Sequence, residues 1–102
     1  AHCYRMCDMH DISIDSETEG SNAWTFTVSV FQDGKRRQYQ VTLNFSDYDL
    51  WSRGRVAPER VVRAAFEFLL QREPASDILP RFDCAVIRRY FTDVDKQLPM
   101  LL

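Results

Sequence analysis

The chain of 102 residues predicts one α+β domain: a two- or three-stranded antiparallel sheet with two or three helices packed on one face. Three observations predict it. Two alternating segments meet at Asp33-Gly34. A long apolar helix begins at Pro58. The strand signals precede the helix signals, which is the order of an α+β domain rather than of βαβ units.

The hairpin is the clearest element. Apolar residues fall at Trp24, Phe26, Val28 and Val30, then at Tyr39, Val41, Leu43 and Phe45. Period two over that length marks a half-buried strand. Asp-Gly suits a two-residue type I′ turn, because both central residues need positive φ. That turn sets the register: Trp24 faces Leu43, Phe26 faces Val41, Val28 faces Tyr39 and Val30 faces Arg37. The alternate face carries Thr25, Thr27, Ser29, Gln38, Gln40, Thr42 and Asn44, all polar and uncharged. Upstream, Ile12 and Ile14 alternate within His10–Asp15 and predict a short strand, followed by a polar loop over Ser16–Ala23.

The helices come next. Ser46 is the expected N-cap of a short helix, with Asp47 and Asp49 in its first turn and Gly54 at its end. Pro58 is well placed in the first turn of the main helix, about Pro58 to Arg72. That helix is apolar over most of its circumference, with a narrow polar stripe of Arg60, Arg63, Glu67 and Gln71, so most of it is expected to be buried. Ser76–Phe82 is interrupted by Pro80 and predicts one helical turn or an irregular cover. Asp83 is the expected N-cap of a last helix to about Phe91, with Arg88 and Arg89 facing out. The apolar end, Leu98 to Leu102, must dock on the body or meet a partner.

Composition bounds the function. The apolar fraction is 45% and the charged fraction 27%, values of a globular domain. The net charge of −2 gives no overall reason to expect nucleic acid or an acidic membrane. Its distribution is uneven: residues 1–34 carry one Arg against six acids, and residues 35–63 seven bases against three acids. Three cysteines without a spaced framework fit a reducing compartment. No apolar run reaches the roughly 20 residues of a membrane span, and no signal peptide opens the chain, so the expected location is the cytoplasm. Residues 1–9 are read as a flexible or non-native segment, since Met6 and Met9 are both plausible natural starts. Residues 10–102 are read as the domain.

Sites for chemistry are weakly signalled. His2, Cys3, Cys7 and His10 are zinc-ligand types, but their spacing matches no familiar finger, and no metal site or cofactor is assigned. Both histidines lie in that first segment, so a Ser or Cys nucleophile lacks a placed base. Cys84 near a helix start could be acidified by the helix dipole; the alternative is a small apolar core residue. Asp47 and Asp49, like Asp93 and Asp95, are two apart and do not share a helix face. They are read as dipole partners and solvated charges. No catalytic residue is assigned. An enzyme would instead call for a deep pocket lined by Asp49, Trp51 and Arg53.

Two surfaces remain. The uncharged patch of Thr25, Thr27, Gln38, Gln40 and Thr42 is the expected partner-binding face. Trp24–Phe31 has no charge to protect a free edge, so either Ile12–Ile14 or another chain must cover it. The second surface is Arg53, Arg55, Arg60 and Arg63, beside Trp51, which would suit phosphate or nucleic acid. The leading expectation is a non-enzymatic interaction module with a protein partner or a homodimer. The alternative is a nucleic-acid-binding regulator.

The run DYDLWSRGRVAPERVVRAAFEFLL, followed by RFDCAVIRRYF, resembles a type of small bacterial protein of unknown function. That type has a hairpin, a Trp-Ser-x-Gly turn and a Pro-started apolar helix. The resemblance spans about residues 10–98. It implies a small bacterial domain and no catalytic or binding residue.

Overall fold

A computed structural model describes residues 11–102 of the chain. The zinc-type residues His2, Cys3, Cys7 and His10, and the segment 1–9, lie outside the described residues. Three long antiparallel strands lead: β1 Asp11–Glu19, β2 Ala23–Gln32 and β3 Lys35–Asn44. Helices α1 Phe45–Ser52 and α2 Pro58–Leu70 follow. A short strand β4, Arg81–Asp83, then pairs parallel to β3. The chain ends in two single-turn helices, α3 Ile87–Tyr90 and α4 Val94–Gln97, and a 3₁₀ turn over Leu98–Leu101. The class is α+β, and the described residues form a four-stranded mixed sheet in the order β1-β2-β3-β4 and four helices. The expectation of two or three strands and two or three helices was therefore short on both counts.

The hairpin has the expected register throughout. Trp24 faces Leu43, Phe26 faces Val41, Val28 faces Tyr39 and Val30 faces Arg37. Asp33 and Gly34 have φ of 56° and 77°, the left-handed pair that a type I′ turn requires. Phe26, Val28, Val30, Val41 and Leu43 are fully buried under Val61, Val62, Ala65 and Phe66 of α2.

β1 runs four residues beyond the predicted strand. Ser16–Glu19 is not a loop but pairs with Trp24–Thr27. A register shift between Ile14 and Ser16 leaves Asp15 as the extra residue of a bulge. The polar sequence that imitated a loop is that of an edge strand, where acids and a bulge discourage further pairing. β1 covers the uncharged edge of β2, so that edge supplies no basis for a strand-to-strand dimer.

Asn44, not Ser46, caps α1. Its side chain accepts from the Asp47 backbone N–H at 2.8 Å and donates to the Asp47 carboxylate at 3.0 Å. The helix ends with Arg53 and Gly54 in the left-handed region, at φ of 54° and 74°. Pro58 opens α2, as its fixed φ suits. The last helix is broken in two. Asp83 caps a 3₁₀ turn, Cys84–Val86, and α3 continues for only four residues. The C-terminal segment docks on the body: Leu98 is fully buried, and Leu101 and Leu102 pack against the core. No helix among the described residues is long and apolar enough to cross a membrane.

Candidate functional site

The polypeptide between α2 and α3 builds an apolar groove of about 260 Å³. Leu69 closes it from α2, and Phe82 from β4. Ile78 and Ile87 are buried parts of its lining, whereas Leu79 is 53% exposed and Tyr90 68% exposed. Val86, Ile87, Tyr90 and Phe91 recur at the spacing of one apolar helical stripe in the sequence. The 3₁₀ start of that segment changes the periodicity, and Tyr90 turns outward.

The groove has firm supports. A 3₁₀ turn over Ala75–Asp77 is held to the sheet by two bonds: Tyr39 Oη donates to the Ala75 carbonyl at 2.6 Å, and the Ala75 N–H donates to Gln32 Oε1 at 2.8 Å. Phe82 packs on Phe66, with ring centroids 5.8 Å apart, and Phe91 meets Phe68 edge-on at 5.9 Å. On α3, Arg88 donates through Nε and one terminal nitrogen to both oxygens of Asp95, at 3.2 and 2.8 Å. It also reaches Asp47 on α1 at 3.0 Å. Trp51 Nε1 donates to the same Asp95 at 2.8 Å. Arg88 therefore does not face out into solvent. It ties α1, α3 and α4 together, and Asp47 and Asp95 are its partners.

Two carboxylates, Glu73 and Asp77, line the groove. Among the described residues neither is in an ion pair. The neighbouring Arg72 is committed elsewhere: it bonds Asp93 at 2.8 Å and lies over the Phe68 ring at 3.7 Å. Burial first, and then the charge of Asp77, hold the Glu73 carboxyl above the ordinary glutamate range. The groove thus combines apolar walls with negative charge that the described residues leave unbalanced.

The residues expected from the sequence lie elsewhere. Thr25 faces Thr42 and Thr27 faces Gln40 on the sheet face opposite the helices. They do form one patch with Gln38. Gln40 Nε2 is spent on Thr27 Oγ1 at 3.0 Å. The face is less neutral than it reads, because the β1 bulge places Asp15 on it. The Ser29 hydroxyl donates to Asp15, and Arg36 donates to Ser29 Oγ at 3.1 Å. The Ser29 hydrogen bond holds the Asp15 carboxyl below the ordinary aspartate range, with Arg36 a smaller cause.

The arginine candidates do not act as one set. Arg63 donates to the Ile12 carbonyl at 2.6 Å and so fastens α2 to β1. Arg53, Arg55 and Arg60 are exposed. Trp51 is 3% exposed and its indole N–H is used internally, so it offers no stacking surface. Asp49, Trp51 and Arg53 line no part of the groove. Cys84 is fully buried, and burial pushes its thiol far above the ordinary range, with Asp83 and Asp47 adding to the effect. That is opposite to the acidified thiol a nucleophile needs.

The groove is hard to read from the sequence because residues 69–91 form its walls only after folding back through a helix end, a 3₁₀ turn, a three-residue strand and a short helix. The one local signal was the cluster Ile78-Leu79 beside Pro80, with Glu73 and Asp77 just upstream. Among the described residues, no group of three or more His, Cys, Asp or Glu is placed to hold a metal ion. No protein-family model, curated protein or solved structure matches the chain.

Proposed function

We propose that this protein is a non-enzymatic interaction module that binds a protein partner through the groove between α2 and α3. The supporting observation is the groove itself, with a buried apolar floor continuous with Leu79 and Tyr90 at its rim. Its volume lies just below the roughly 300–1,000 Å³ of drug- or cofactor-sized sites. A cleft of this size suits one or two anchoring side chains better than a whole cofactor. An exposed aromatic beside such a cleft, as Tyr90 is, is a common anchor of a protein interface.

The test compares three forms of the chain as affinity baits from native extract: the wild type, a Leu79→Ser/Tyr90→Ser variant, and a Thr25→Arg/Gln38→Glu variant of the outer sheet face. Both altered pairs are surface positions, so circular dichroism should show an intact fold. A partner identified with the wild type and the sheet-face variant, but absent with the groove variant, supports the reading. A partner lost only with the sheet-face variant would move the site to Thr25, Thr27, Gln38, Gln40 and Thr42.

A further inference from the structure

We infer that the groove takes a basic–apolar peptide segment, with an apolar side chain seated on Ile78 and Ile87 and a neighbouring Lys or Arg paired with Glu73 and Asp77. The inference rests on the docking reading above and adds the chemistry of the occupant.

The argument is one of charge complementarity within a defined cleft. Glu73 and Asp77 both line it, and their mutual repulsion is felt at Glu73. Neither is in an ion pair among the described residues, although Arg72 is adjacent in sequence. The alternative arrangement, with Arg72 turned to Glu73, is blocked by its ion pair to Asp93 and its stacking on Phe68. The backbone that carries both is anchored: the 3₁₀ turn that carries Asp77 is fixed to the sheet by Tyr39 and Gln32, and the Glu73 N–H bonds the Leu69 carbonyl of α2 at 2.9 Å. A cation entering beside them relieves that like-charge repulsion, and because Asp77 is exposed the attraction is one that salt screens. An acidic or purely apolar occupant would leave or worsen the repulsion. Leu79 and Tyr90 continue the apolar surface past the rim, which suits a chain crossing the groove rather than a ligand enclosed by it.

The test pans a random dodecapeptide phage library against the full chain. Enriched peptides are then synthesised, and their affinities measured by fluorescence anisotropy. Enrichment of Lys or Arg within two residues of Leu, Ile, Met or Phe is expected. Binding should fall at least tenfold with Leu79→Ser/Tyr90→Ser, and about five- to tenfold with Glu73→Gln/Asp77→Asn, and it should weaken as salt rises. Peptides that need Leu79 and Tyr90 but carry no cation, or that bind Glu73→Gln/Asp77→Asn unchanged, overturn the inference and leave the docking reading standing. Failure to enrich any peptide sensitive to Leu79→Ser/Tyr90→Ser overturns both. Sedimentation showing a dimer that Leu79→Ser/Tyr90→Ser dissociates would make the occupant a second copy, and would also overturn the inference.

Discussion

Replacing Arg88 by Ala should destabilise the protein by about 2 kcal/mol. The figure has two parts. Asp95 is 44% exposed, so its paired bonds to Arg88 are screened and count as a surface ion pair, worth about 0.2–1 kcal/mol. Asp47 is only 9% exposed. Stripping its guanidinium partner leaves a desolvated carboxylate oxygen, a loss of about 1–3 kcal/mol. Asn44 still donates to the other oxygen at 3.0 Å, which places the cost in the lower half of that range. For a domain of this size 2 kcal/mol corresponds to a fall of roughly 8–16 °C in Tm. Urea unfolding of Arg88→Ala, Asp47→Asn and the double variant would measure the Arg88–Asp47 coupling directly. A coupling below about 0.5 kcal/mol would refute the view that Arg88 holds α3 to α1. The pH dependence gives a separate check. Asp95 is held below its ordinary value, mainly by the Arg88 hydrogen bond, with Trp51 adding to it. Its contribution is therefore full above the unfolded carboxyl range and lost as pH falls through the folded value. Arg88→Ala should flatten the stability profile in that acid window and leave its shape near neutrality unchanged.

Three further outcomes are expected. Glu73→Gln should raise stability at pH 7 by a few tenths of a kcal/mol, the scale of an exposed like-charge pair; the gain should vanish at low pH, because a carboxyl whose folded pKa is raised disfavours folding only once it is ionised. Thermal melts at pH 7 and pH 4 would show it, and an equal shift at both would be inconsistent with the Glu73–Asp77 repulsion. Leu98→Ala should cost about 2–5 kcal/mol, since that side chain is fully buried in a C-terminal segment; a loss under 1 kcal/mol by urea unfolding would mean the segment is not part of the cooperative unit. Cys84 should resist an aromatic disulfide reagent in the native protein and react fully in denaturant, and rapid native labelling would contradict its burial.

The parts legible in the sequence are those fixed by local rules. Asp33-Gly34 dictates a turn, the turn dictates ten strand pairs, and alternation then dictates which face is buried. Pro58 and the apolar run behind it fix α2 in the same way. Elements whose stability comes from distant partners were not legible. Ser16–Glu19 has the composition of a loop and becomes strand only because Trp24–Thr27 offers it a ladder. The cap expected at Ser46 falls instead on Asn44, the last residue of β3, and the Asn-x-x-Asp spacing to Asp47 is the capping signal there. Arg88 and Asp95 looked like solvated charges because their meeting depends on the break between α3 and α4, and Trp51 lies 44 positions from the carboxylate it bonds.

The same reasoning explains why the open groove sits where it does. β4 must run parallel to β3, so the chain has to pass along α1 and α2 and return before pairing. The return is short: from Leu70 it reaches Arg81 through one 3₁₀ turn. β4 then gives only three residues to the sheet. The next turn, Cys84–Val86, uses its buried cysteine as the anchor, and α3 is too brief to lay a second apolar stripe across the end of α2. Ile78 and Ile87 are buried beneath that gap, while Leu79 and Tyr90 stand at its edges without cover. A longer α3 could close the gap with its own side chains. Glu73 and Asp77 line that gap without an ion pair among the described residues, and the charge of Asp77 adds to burial in raising the Glu73 carboxyl; under the docking reading proposed above, an incoming cation beside them would relieve that repulsion.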